Sequence, residues 1–171
     1  MNISWNILSD YIDELKEYTA ETFDKRGNLD GQFEIIFNAI RFGYVDNEIH
    51  FGNELLISWF TILNKAVNKL KKHGYAIFYV PGIPKWLEIQ QKEDILLVSK
   101  LELIGNSTDF LITGKDNIHL FNKLSQVDEI EKDEFFNCVI SKSREFTDYI
   151  ISINELLKDS LTIKELVNLY N

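Results

Sequence analysis

Residues 54–89 run ELLISWFTILNKAVNKLKKHGYAIFYVPGIPKWLEI, and the fold class turns on how they are read. Leu55, Trp59, Ile62, Leu63, Ala66 and Leu70 recur at three- and four-residue steps, which predicts a helix from Glu54 to His73 with one apolar face. Asn53 is the expected N-cap. Lys71, Lys72 and His73 suit the negative end of the helix dipole, and Gly74 suits a left-handed stop. The period then changes from helix to strand. Tyr75 to Val80 is one short strand-forming run, Pro81-Gly82-Ile83-Pro84 breaks it, and Leu87 to Gln91 begins another.

Reading outward, further strands are expected at Ile95 to Ile104 and at Phe110 to Thr113, with breaks at Lys92-Glu93-Asp94 and Gly105-Asn106-Ser107. That spacing suits an antiparallel meander. Upstream, Gln32 to Phe42 and Ile49 to Phe51 predict a hairpin turning at Asp46-Asn47. Before it, Leu8, Tyr11, Ile12, Leu15 and Tyr18 predict a helix over Ser9 to Phe23, stopped by Arg26-Gly27-Asn28. Downstream, Phe136, Val139, Ser143, Phe146, Ile150, Ile153 and Leu157 form a stripe over about 133–158. Thr162 with Glu165 matches a capping box for a last short helix. The order is α+β: a mixed or mainly antiparallel sheet packed against helices, in a single domain over residues 1–171.

The 171 residues are 45% hydrophobic and 13% aromatic, ample for one core and unlike a disordered chain. Cys138 is the lone cysteine, so an internal disulfide framework and a cysteine-cluster zinc site are both excluded. No charged start with an apolar run marks a signal peptide, and no apolar stretch reaches the ~20 residues that span a bilayer. A cytoplasmic protein is the expectation. Lysine outnumbers arginine 15 to 3 and isoleucine outnumbers alanine 22 to 4, a bias that fits an AT-rich bacterial or phage genome.

Catalytic patterns are missing from the sequence. His50, His73 and His119 are widely spaced and form no metal-ligand motif. Cys138 lies in an apolar helical context that favours packing over nucleophilic work. Thr113-Gly114-Lys115-Asp116 lacks the first glycine and the final hydroxyl of a phosphate-binding loop. The carboxylate pairs Glu93-Asp94 and Asp133-Glu134 suit a hairpin turn and a helix start. No cofactor is expected.

Charge carries more information. The formal total is −9, with 27 acids against 18 bases, which argues against a nucleic-acid backbone as partner. Residues 31–126 are neutral, so the excess lies in 1–30 and 127–159. Its densest part is Asp128-Glu129-Ile130-Glu131-Lys132-Asp133-Glu134, where five of seven residues are acidic. Two readings stand: a solvated loop leading into a helix start, or a landing site for a basic partner. On the second reading Asp128, Glu129, Glu131, Asp133 and Glu134 are partner-binding residues. Trp86, on a loop stiffened by two prolines, is either an added interface anchor or a cover for the core edge. A smaller basic strip, Lys65, Lys69 and Lys72, follows the polar face of the central helix and reads most simply as a solvated face.

The block of helix to Gly74, strand Tyr75–Val80, loop Pro81–Pro84 and strand from Trp86 to Ile89, in a small acidic α+β chain, resembles the immunity proteins of bacterial polymorphic toxin and contact-dependent growth inhibition systems. The resemblance carries over no functional residue. It implies a non-enzymatic inhibitor that binds one cognate basic toxin, often a nuclease, and covers its active site. The rival readings are an enzyme with a dispersed site and a self-associating subunit such as a homodimer.

Overall fold

The computed structural model describes residues 1–49, 51–105 and 110–171, with Ser125 and Gln126 described by backbone alone. The elements run β1 (Asn2–Ile7), α1 (Ser9–Glu17), α2 (Ala20–Arg26), β2 (Asp30–Ile36), β3 (Arg41–Tyr44), β4 (Glu54–Leu55), α3 (Leu56–His73), β5 (Tyr75–Tyr79), β6 (Trp86–Lys92), β7 (Ile95–Leu103) and β8 (Ile112–Thr113). A 3₁₀ turn (Lys115–Leu120), β9 (Phe121–Glu131), α4 (Lys132–Ile153), a second 3₁₀ turn (Glu155–Asp159) and α5 (Leu161–Tyr170) complete the chain. The result is α+β, about 47% helix and 31% strand.

The helix read from residues 54–73 is the centre of the molecule. Ten of the eighteen α3 residues are buried, and the Phe33 and Trp59 rings stack at 4.3 Å while Phe60 and Phe146 stack at 4.5 Å. These contacts join α3 to β2 on one side and to α4 on another. Asn64 adds a polar link, donating to Ser143 Oγ at 2.6 Å. Gly74 closes α3 at φ +64, where a glycine avoids the left-handed penalty.

The start of α3 differs from expectation. Asn53 does not cap it; Glu54 and Leu55 are drawn into β4 by pairing with Gly31 and Asp30. Capping passes to Asn28, whose Oδ1 accepts from the N–H groups of Ile57 at 3.1 Å and Leu29 at 3.0 Å. Gly31 is required at this junction, because a Cβ there would lie 2.4 Å from the Asn6 carbonyl oxygen and 2.6 Å from Leu56 Cδ1.

There are two antiparallel sheets rather than one. In the first, β2 lies between β1 and the pair β3 and β4. The second has the order β8-β5-β6-β7-β9. The meander β5-β6-β7 agrees with the expectation, but Phe110–Thr113 does not continue it. Its β8 part crosses to pair with β5 at the far edge, and the unforeseen β9 takes the place beside β7. The hairpin of the first sheet turns at Phe37–Ile40, where Phe37 N–H donates to the Ile40 carbonyl at 2.9 Å, not at Asp46-Asn47. Of the expected strand at 49–51, Ile49 and Phe51 are not in a strand, and His50 lies outside the described residues. Instead the Gln32 amide donates to the carbonyls of Ile49 and Phe51 at 2.8 and 3.0 Å, and its Oε1 accepts from Asp46 N–H at 3.0 Å.

The helical ends also shift. The expected 9–23 helix breaks at Tyr18-Thr19, where Thr19 Oγ1 caps α2 and Asn154 Nδ2 takes the Leu15 and Tyr18 carbonyls at 2.9 and 2.8 Å. Ser160, not Thr162, caps α5. Asp24 of α2 reinforces that cap by accepting from Ser160 Oγ, Thr162 N–H and Leu161 N–H at 2.6, 2.9 and 3.0 Å. Partial burial pushes the Asp24 carboxyl up, but these hydrogen bonds outweigh it and hold the group at about 2.

The second sheet is covered on both faces, unequally. Its inner face (Phe78, Leu87, Ile89, Leu96, Val98, Ile130) joins the main core under α3 and α4. Its outer face carries a smaller cluster of Tyr75, Ile77, Trp86, Leu101 and Phe121, packed against Ile118 and Leu120 of the first 3₁₀ turn. Among the described residues, no helix is long and apolar enough to cross a membrane.

Candidate functional site

The acidic segment 128–134 is not a loop. It is the end of β9 running directly into α4, with Ile95 opposite Glu131, Leu97 opposite Glu129 and Val98 opposite Asp128. Strand alternation therefore divides the acids. Asp128 and Ile130 point to the inner face, and Glu129 and Glu131 to the outer.

Asp128 is a structural residue and is withdrawn from the contact set. It is 5% exposed, and its Oδ2 accepts from the N–H groups of Ala39 at 2.8 Å and Ile40 at 2.5 Å. Asn38 Nδ2 donates to the Glu129 carbonyl at 2.6 Å. The tip of the β2–β3 hairpin is thus fastened to the free edge of β9, and the carboxylate supplies the acceptor for the buried Ile40 amide and the part-buried Ala39 amide. Sequence spacing could not reveal this bond, because its partners lie 88 and 89 residues away.

Trp86 is also withdrawn as an anchor. It opens β6 at 4% exposure, with ring centroids 5.1 Å from Phe121, 5.5 Å from Tyr79 and 5.8 Å from Phe110. The core-edge alternative is the one observed: the proline loop delivers the indole into the outer cluster, not to solvent.

The remaining acids converge on one corner. Glu129, Glu131 and Asp133 are exposed at the strand–helix junction, and none makes an ion pair among the described residues. Asp133 and Glu134 occupy the first turn of α4, where negative charge complements the helix dipole. Glu134 is engaged by the amino group of Met1. The β6–β7 turn presents Glu93, at φ +57, and Asp94. Lys132 ties that turn to the corner: its N–H donates to the Asp94 carbonyl at 2.8 Å and its Nζ pairs with Asp94 Oδ1 at 3.2 Å. Cations at this corner include the Met1 amino group and Lys132, both already paired, and exposed Lys92, whose neighbour across the hairpin, Ile95, lies opposite Glu131. Val127, 47% exposed, and half-buried Ile95 and Leu97 supply apolar surface on the same outer face.

A buried polar group underlies this face. Glu88, 5% exposed, accepts from the Tyr75 hydroxyl and pairs with Lys123 Nζ at 2.8 Å. Burial, and then the bond to Glu88, pushes the Tyr75 hydroxyl well above the usual tyrosine range. Ser99, opposite Glu88 in register, is fully buried, and its Oγ has no hydrogen-bond partner among the described residues. These residues sit where β7 and β9 slip register between Ser99 and Leu101, a bulge that locally re-aims the strand. Sequence reasoning missed Tyr75, Glu88 and Lys123 because no local motif links them.

Elsewhere, half-buried Cys138 has its thiol pushed up by burial, which disfavours the reactive thiolate. Among the described residues no group of three histidine, cysteine or acidic side chains is placed to hold a metal; His50 lies outside them. No family model matches the chain, and neither a curated protein nor a solved structure matches it.

Proposed function

We propose that the protein is a non-catalytic binding protein that receives a basic protein partner on the corner formed by β9, the start of α4 and the β6–β7 turn. The observation that carries this reading is the set of Glu129, Glu131 and Asp133, three exposed acids without an ion pair among the described residues, beside exposed Val127. Unpaired carboxylates at a rigid strand–helix junction lose little freedom on binding, and their shared sign speeds encounter with a cationic surface. Within this reading we favour an immunity role, in which the partner is a basic toxin whose active site the corner covers. The net charge of −9 supports a cationic partner over a nucleic acid.

The experiment is capture from a bacterial lysate with the wild-type chain and with the triple variant Glu129→Lys, Glu131→Lys, Asp133→Lys. The expected result is one basic protein held at low salt, released at high salt and absent with the variant. Expressed alone, that protein should arrest growth, and co-expression of the wild-type chain should restore it while the variant should not. Capture that ignores both salt and charge reversal would refute the corner as the interface. Capture of a partner that does not arrest growth would refute the immunity role alone.

A further inference from the structure

The opposite edge of the second sheet carries a second feature, independent of the acidic corner. Two adjoining hollows lie between the outward side of α3 and the β8 edge. The first, of about 350 Å³, is mainly apolar and is walled by Leu55, Ile62, Pro81 and Leu111. The second, of about 320 Å³, is basic and is walled by Lys69, Lys72 and His73. Lys65 and Ile112 line both, so the two adjoin. The first falls within the volume range of small-molecule sites, roughly 300–1,000 Å³.

The charges give this groove a direction. Lys65, Lys69 and Lys72 stand at i, i+4 and i+7 on one helix face, a like-charge row that is mutually unfavourable unless an anion relieves it. None of the three forms an ion pair among the described residues. At the far, apolar end the nearby acid is Glu54, which lies beside Gly82 and is committed to Trp59 Nε1 at 2.7 Å. Glu165 of α5 lines a neighbouring hollow that shares Ser58, Thr61 and Lys65 with the apolar one, so one carboxylate also borders this end of the lysine row. Leu111 and Leu55 stand 64% and 38% exposed at the mouth, apolar surface that a partner would cover.

We propose that this groove binds a free amphipathic anion, an alkyl or acyl chain with a phosphate or carboxylate head. The chain lies in the apolar hollow toward Pro81, and the head sits over Lys65 and Lys69. The binding is separate from the acidic corner and does not depend on it.

The test uses monomeric octyl, decyl and dodecyl phosphate with the full chain, followed by methyl NMR, with decanol as the uncharged comparison. The expected result is saturable shifts at Ile62, Leu111 and Ile112, with affinity rising about four-fold per methylene until the hollow is full. Lys65→Glu with Lys69→Glu should weaken decyl phosphate at least ten-fold and leave decanol unaffected. Leu111→Asp, at an exposed position, should weaken both. Equal affinity for decanol and decyl phosphate would overturn the proposal, as would absence of saturable shifts in those methyl groups. Binding only to vesicles of phosphatidylglycerol, with none to the monomers, would also overturn it in favour of a membrane surface.

Discussion

The acidic corner and the outward side of α3 are both rows of like charge, but they are held differently. At the corner, Asp128 is buried and fastened to backbone amides, Asp94 and Glu134 are engaged by Lys132 and the Met1 amino group, and Glu93, Glu129, Glu131 and Asp133 have no ion pair among the described residues. On α3, all three lysines extend from a helix whose other side is the core, and none is paired. A charge run on a strand alternates between structure and solvent, whereas a charge run at helical spacing stays on one face. Equal density of charge in the sequence therefore does not mean equal availability.

The largest effect expected is at a residue the sequence offered as an anchor. Trp86→Ala should destabilise by about 4 kcal/mol in denaturant unfolding, as the loss of a buried aromatic does. An interface anchor would lose partner retention instead and leave unfolding unchanged. Next, Asp128→Ala should cost about 2 kcal/mol, because one buried and one part-buried N–H group lose a charged acceptor, and Asp128→Asn should recover part of it. A free-surface role for Asp128 would give a change below about 0.5 kcal/mol.

Acid unfolding separates the two regions further. The folded Asp24 carboxyl, at about 2, lies below its ordinary value of 3.8, so its contribution is complete above the ordinary value. That contribution is lost as the pH falls from about 4 through about 2. Because Asp24 fastens the start of α5, which borders the lysine groove, Asp24→Asn should flatten that part of the stability–pH curve and leave the acidic corner untouched. An unchanged curve would break the assignment. The smallest stability effects belong to the unpaired charges. Glu129→Lys and Lys69→Glu should each change unfolding by less than about 0.5 kcal/mol, and a larger change at either would reveal a structural role.

Much of the architecture was legible where one period dominates. The body and C-terminal end of α3, Gly74 as its stop, the β5-β6-β7 meander and the α4 stripe as far as Ile153 follow from spacing. The first strand escaped because Ile3, Trp5 and Ile7 alternate over only six residues. The eleven-residue β9 escaped because its charged end resembles a solvated loop, its strand nature being fixed by pairing with β7. Caps were misplaced wherever a distant side chain did the capping, as Asn28 does for α3 and Asp24 for α5. At the candidate site, composition identified the acidic segment. Only tertiary contacts could divide it into buried Asp128 and outward Glu129 and Glu131.

That division is also the most direct test of the account. Unfolding free energy and salt-dependent retention of the captured basic protein should be measured together for Asp128→Asn and for Glu129→Lys with Glu131→Lys. The account predicts that the first variant is less stable but retains the partner at a temperature where it is folded. The second should be as stable as wild type and release the partner at low salt. Wild-type retention by the charge-reversed pair would contradict it.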